Sequence, residues 1–137
     1  MTKLDDLFPR NYNIEKKFQK EYNNLKEKSQ LFEDKDNTDI FLFALALGVK
    51  NKEKKKLAAP YPVINCNGFD SKARALITSL AISEKGIEVI SDRNEIRRIA
   101  EEYANAGFVE LDRIVKGKST KKVVTELEEE IVKEFKV

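Results

Sequence analysis

Lys50, Lys52, Lys54, Lys55 and Lys56 crowd five ammonium groups into a short stretch broken by one acid, Glu53. Such a run can neutralise several phosphates, and contacts of that kind add salt-dependent affinity without reading bases. No aromatic residue stands among these lysines, so a single strand would find no stacking platform there. The same run on an exposed connection also serves solubility alone. Arg93, Arg97 and Arg98 form a second cationic group. Guanidinium groups on a helix can read base edges, which makes these three the candidates for a recognition helix.

Glu101-Glu102 and Glu128-Glu129-Glu130 are the dense carboxylates. Paired carboxylates hold magnesium or do acid/base work only where a fold converges them. Neighbours in a helix point about 100° apart, so both groups read as solvated faces. The chain has no His and one Cys, Cys66, which excludes intramolecular disulfides, Cys/His zinc sites, Ser/His/Asp triads and Cys/His dyads together. Without a base beside it, Cys66 reads as a structural thiol in a reducing compartment. Gly86, Gly107 and Gly117 are isolated and carry no phosphate-binding loop around them. No catalytic residue, metal ligand or cofactor is therefore expected, and nucleic-acid contact would rest on the five lysines and three arginines.

The elements that must position these groups follow from patterning over 137 residues, the size of one domain. Charged residues make up 36% of the chain, but the net charge is only +2, so any polyanion must be met locally rather than by the whole molecule. Residues 1–13 read as a lead-in whose Leu4, Leu7 and Phe8 dock on the body. Ile14, Phe18, Tyr22 and Leu25 then predict an amphipathic helix ending near Ser29 or Gln30. Asp36 or Thr38 caps a second helix, with Asp39 in its first turn. Its run from Ile40 to Leu47 is apolar on every face and stops at a capping Gly48. Pro60-Tyr61-Pro62 forces extended backbone, Val63-Ile64 adds a short strand, and Asn67-Gly68 turns the chain. Asp70 or Ser71 caps a third helix through Ala73, Leu76, Ile77, Leu80 and Ala81 to about Gly86. Ile87 to Ile90 reads as extended. Asp92 and Glu95 have the spacing of a reciprocal capping box before a helix bent at Gly107, where Asn105 satisfies backbone groups. Ser119 onward, with Val123, Val124, Leu127, Ile131 and Phe135, predicts a last helix behind the Lys116-Gly117-Lys118 joint. The fold class is a mainly α, compact single-domain bundle of about five helices with one short pair of extended segments.

Three segments add a resemblance. The stretch from Asp39 to Asn51 ends in Leu47-Gly48-Val49-Lys50-Asn51. Ala75 to Ile82 follows, and Ile99 to Phe108 contains Glu102-Tyr103-Ala104-Asn105-Ala106-Gly107. In this order they resemble the small proteins associated with DNA phosphorothioation (Dnd) systems, in particular the group numbered four. The likeness covers roughly residues 38–115, leaving the N-terminal helix and residues 119–137 outside it. It implies a prokaryotic, cytoplasmic accessory of a defence system against foreign DNA, working beside a larger ATPase or nuclease, and it supplies no catalytic motif. The expected function is a non-catalytic adaptor that recruits that partner, with DNA phosphates as a further contact. A second copy could pair through the terminal stripe, and no membrane partner is expected. The alternative is a DNA-binding regulator using Arg93, Arg97 and Arg98, and a metal-dependent nuclease has no ligand constellation to support it.

Overall fold

The computed structural model describes residues 8–28 and 32–117. Leu4, Leu7, Leu31 and the helix expected from Ser119, with Glu128 to Glu130, lie outside the described residues. Four α-helices and one two-stranded antiparallel sheet make up the rest, a compact and mainly α arrangement.

The chain enters as a strand, β1 (Asn11–Glu15), which corrects the helix expected from Ile14. Its partner is β2 (Pro60–Asn65), with Tyr12 opposite Ile64 and Ile14 opposite Tyr61. The spacing of four between Ile14 and Phe18 arises because a 3-10 turn, Lys16–Phe18, follows the strand directly. Only then does α1 (Gln19–Lys28) begin, turning Tyr22 and Leu25 inward.

α2 (Asn37–Asn51) starts at a complete capping box: Asp36 Oδ1 accepts from the Asp39 amide at 3.0 Å and Asp39 Oδ2 from the Asp36 amide at 3.1 Å. Ile40, Phe41, Ala44, Leu45, Ala46 and Leu47 are buried, while Leu42 and Phe43 are half-buried against the core. Gly48 does not cap this helix. The helix runs on to Asn51 and closes at Lys52, whose φ of 55° is the one left-handed non-glycine backbone among the described residues. Gly48 is needed elsewhere: a Cβ there would sit 2.0 Å from the Tyr103 carbonyl oxygen.

α3 (Ser71–Lys85) is capped by Asp70, whose Oδ1 accepts from the Ala73 amide at 2.8 Å, and ends at Gly86. Ile87–Ser91 is a 3-10 turn rather than an extended segment. Its bonds from Val89 N–H to the Gly86 carbonyl and from Asp92 N–H to the Val89 carbonyl bury Val89 and leave Ile87 62% exposed. α4 (Arg93–Gly117) then runs unbroken through Gly107. Asp92 caps it through the Glu95 amide, but the box is one-sided because the Asp92 N–H is spent on Val89 and the Glu95 carboxylate on Arg98. Gly107 makes no bend. It lets α4 touch α2 backbone to backbone, since a Cβ there would lie 1.7 Å from the Ala44 carbonyl oxygen.

Around this seam the core is aromatic. Tyr22 stacks on Phe108 at 4.5 Å, and Tyr12 meets Phe69 and Phe41 edge-on at 5.4 and 6.0 Å. The α2–α4 pair is thus the spine, with the sheet and α1 to one side, and the connection from Lys52 to Ala59 has to cross its surface.

Candidate functional site

That connection has no regular secondary structure, yet its backbone is held along its length. The Glu53 N–H bonds the Gly48 carbonyl at 3.0 Å, and the Lys55 N–H bonds the Glu102 carbonyl of α4 at 3.0 Å. Asn105, only 5% exposed, donates from Nδ2 to the carbonyls of Lys55 and Lys56 at 3.0 and 3.4 Å. Glu15, also 5% exposed, accepts from the Ala58 and Ala59 amides at 2.7 and 2.9 Å. Two buried polar side chains therefore fix a loop whose own residues 52–56 are all exposed. Both side chains sit where burial without partners would cost most, and their bonds to the loop backbone offset that cost.

The lysines do not act as one cluster. Lys52, Lys54 and Lys55 form one wall of an open groove of about 560 Å³, with Ala106, Val109 and Glu110 of α4 opposite and Glu53 on the loop side. Val109 is 49% exposed there, one of two large hydrophobic residues so exposed among those described. Lys54 bonds Glu84 at 3.0 Å and lies 5.7 Å from the centre of the Tyr103 ring, while the Tyr103 hydroxyl bonds the other Glu84 oxygen. Burial alone would raise the Glu84 carboxyl, but the bonds from Tyr103 and Lys54 hold it below the ordinary carboxylate range. The same exchange, with burial the largest cause, pushes the Tyr103 phenol up to about 12. Lys56 is exposed beyond the groove, and Lys50 is half-buried in the last turn of α2.

The three arginines separate as well. Arg98 is held between Glu95 and Glu102, the latter at 2.8 Å, and its bonds hold Glu95 below the usual range. Because the Glu102 carbonyl receives the Lys55 amide, Arg98 lies close to the loop, but with its guanidinium claimed by carboxylates. Arg97 instead bears on Tyr12, Cys66 and Glu101 toward the sheet. Arg93 is exposed in the first turn of α4.

Glu101 corrects the expectation of a solvated carboxylate pair. It is 8% exposed and accepts from Asn13 N–H and Nδ2 at 2.5 and 2.9 Å. Burial raises its carboxyl against the pull of those bonds. Glu102 is half-buried and pairs with Arg98, so the two neighbours diverge as helical geometry requires. Cys66 is buried, and burial pushes its thiol up to about 12, far from a thiolate nucleophile. Among the described residues no group of three His, Cys, Asp or Glu could hold a metal ion. No helix among them is long and apolar enough to cross a membrane.

Glu15, Glu84 and Val109 were not singled out from sequence. Val109 had one available signal, an apolar side chain off the inward stripe of α4. The role expected of Asn105 is present, although its backbone partners come from the lysine loop.

The family model described as DNA sulphur modification system-associated protein 4 matches residues 14–136, a wider span than the 38–115 of the shared motifs. No curated protein and no solved structure matches.

Proposed function

Because the chain belongs to the family of DNA sulphur modification system-associated protein 4, we propose that it serves such a system as a non-catalytic accessory subunit that docks on and recruits a larger partner. The setting we infer is cytoplasmic defence against foreign DNA. The observation that carries the docking role is the fixed loop: Glu15 and Asn105 spend buried hydrogen bonds to hold an exposed charged wall still. Pre-organisation of that kind lowers the ordering cost of association. Three groups of catalytic type among the described residues are engaged structurally, which supports the non-catalytic reading: Glu101 on Asn13, Glu84 on Lys54 and Tyr103, and Cys66 as a buried thiol.

Phosphate contact is a second reading, favoured by the exposed Lys52, Lys55 and Lys56 on the loop. The regulator alternative draws less support, since Arg98 is bonded to two carboxylates.

Co-expression with the products of the neighbouring genes, taking first any helicase, nuclease or sulphur-modification enzyme among them, tests the proposal. A stoichiometric complex in sedimentation is expected with one of them, and migration of every component alone would overturn it. Incubation of the purified protein with modified and unmodified DNA plus magnesium tests the non-catalytic part, and specific cleavage would overturn that.

A further inference from the structure

Resting on the accessory role, we infer that the groove between residues 52–55 and α4 receives an acidic segment of the partner protein that carries an apolar side chain. The carboxylates would meet Lys52 and Lys55, and the apolar group would cover Ala106 and Val109.

The two surfaces of the groove differ in chemistry. The loop wall is cationic and already shaped, because its backbone is bonded to Gly48, Glu102 and Asn105 before any ligand arrives. Lys54 acts as a pillar of that wall, tied to Glu84 and lying against the Tyr103 ring, which leaves Lys52 and Lys55 as the ammonium groups to meet a ligand. The facing surface is α4, where Val109 stands half-exposed beside Ala106. Covering that pair removes apolar surface from water, a gain that a purely ionic ligand cannot supply.

Charge balance then separates the candidate occupants. Three lysines line the groove together with two acids, Glu53 and Glu110, with Lys54 paired to Glu84 and Glu110 paired to Arg113 one turn along α4. A phosphodiester backbone repeats its negative charge at every nucleotide and would pass both carboxylates. Its bases would find no aromatic ring among the lining residues to stack on. A peptide can place its acids opposite Lys52 and Lys55 and an uncharged group elsewhere. Mixed lining with an apolar floor suits that pattern, since complementary charge selects the partner while the covered apolar group adds affinity.

The test uses the full-length protein and fluorescein-labelled heptapeptides at physiological salt. One has a central leucine flanked by glutamates, a second has serine in place of that leucine, and a third has lysines in place of the glutamates. Fluorescence anisotropy should show the leucine peptide binding about fivefold more tightly than the serine peptide. Val109→Asp should abolish that preference, and Lys52→Glu with Lys55→Glu should weaken the acidic peptides about tenfold and admit the lysine peptide. Thermal melts of each variant establish folding, and the gain of the lysine peptide is a readout that an unfolded variant would not give.

Equal binding of the leucine and serine peptides, or an acidic-peptide affinity untouched by the charge reversal, would overturn the assignment. So would a labelled oligothymidylate that binds more tightly than the peptides and loses affinity in the same charge-reversed variant, since the groove would then be a nucleic-acid site. If the co-expressed partner complex forms equally well with wild-type and charge-reversed protein, the groove assignment falls and the accessory role stands. If the peptides behave as expected while no neighbour forms a complex, the groove's selectivity for an acidic, apolar-bearing segment stands and the accessory role falls.

Discussion

Where α2 crosses α4, order comes from side chains that are missing: Gly48 and Gly107 let carbonyl and amide groups of the two helices touch directly. From Lys52 to Ala59 order comes from side chains that reach in from elsewhere, Glu15 from β1 and Asn105 from α4. The seam tolerates no added atom, whereas the loop depends on atoms that its own residues do not supply. A function that needs a firm but changeable surface is better served by the second construction. The lysine side chains can vary while the two buried clamps stay constant.

The largest effect should come from closing the seam. Gly107→Ala sets a methyl against the Ala44 carbonyl and Gly48→Ala sets one against the Tyr103 carbonyl, both backbone atoms that cannot rotate away. Each should lower stability by about 3 kcal/mol in urea unfolding. Both intrude on the same helix separation, so the double variant should lose less than the sum of the two. Additive losses would show that the two contacts yield independently.

Removing a clamp should cost less and act locally. Glu15→Ala orphans the Ala58 and Ala59 amides, and Asn105→Ala orphans the Lys55 and Lys56 carbonyls. About 1–3 kcal/mol is expected for each. Hydrogen exchange should quicken at the Ala58 and Ala59 amides in the first variant and at the Lys55 amide in the second, while the α2 centre keeps its protection. Uniform acceleration through α2 would mean that loop and seam open as one unit.

The carboxylates give opposite pH signatures. Burial raises the Glu101 carboxyl in the folded state, so its contribution to stability is present below the unfolded pKa and is lost as pH rises through the folded value. Glu101→Gln should therefore gain on the wild type as pH rises through that window. Glu95, whose bonds from Arg98 lower it, contributes above the ordinary carboxylate pKa, and that contribution is lost as pH falls through the folded value. Glu95→Gln should be most costly near neutral pH and least costly in acid. Parallel pH profiles for the two variants would contradict both assignments.

The smallest effect on folding belongs to the loop lysines. Changing Lys52, Lys55 and Lys56 to Gln should shift stability by about 0.5 kcal/mol or less at each position. If the three meet duplex phosphates, the plot of log affinity against log salt should have a slope of about −3, against about −4 to −5 for all five lysines of the run. A slope near −5 would bring Lys50 and Lys54 back into contact with DNA despite their positions in the fold.

Local chemistry was legible in the sequence. Asp36 and Asp70 announce helix starts because a cap acts within three residues, and Ile40 to Leu47 announces the buried helix because eight consecutive apolar residues leave it no polar face. Asn11–Glu15 was not legible as a strand, since its partner Pro60–Asn65 is distant and Ile14 happens to sit four residues before Phe18. Gly48 and Gly107 read as a stop and a bend because a glycine carries no sign of which neighbour it admits. At the candidate site the lysines were plain, but their sorting into Lys52 and Lys55 on the wall and Lys54 on Glu84 depends on α3 and α4. The Glu15 clamp was hidden for the same reason, as it joins residues more than 40 positions apart.

That separation also sets an order of events during synthesis. Glu15 leaves the ribosome before the lysine run, but Asn105 follows Lys55 by 50 residues. The loop can be held at Ala58 and Ala59 once β1 and β2 pair, while its middle waits for α4 to be made and docked on α2. Distant contacts of this kind carry a larger closure entropy and form late. A translation product that stops short of α4 would display the same five lysines as an unshaped basic string, attractive to any polyanion. Only completion of the chain would turn that string into a wall.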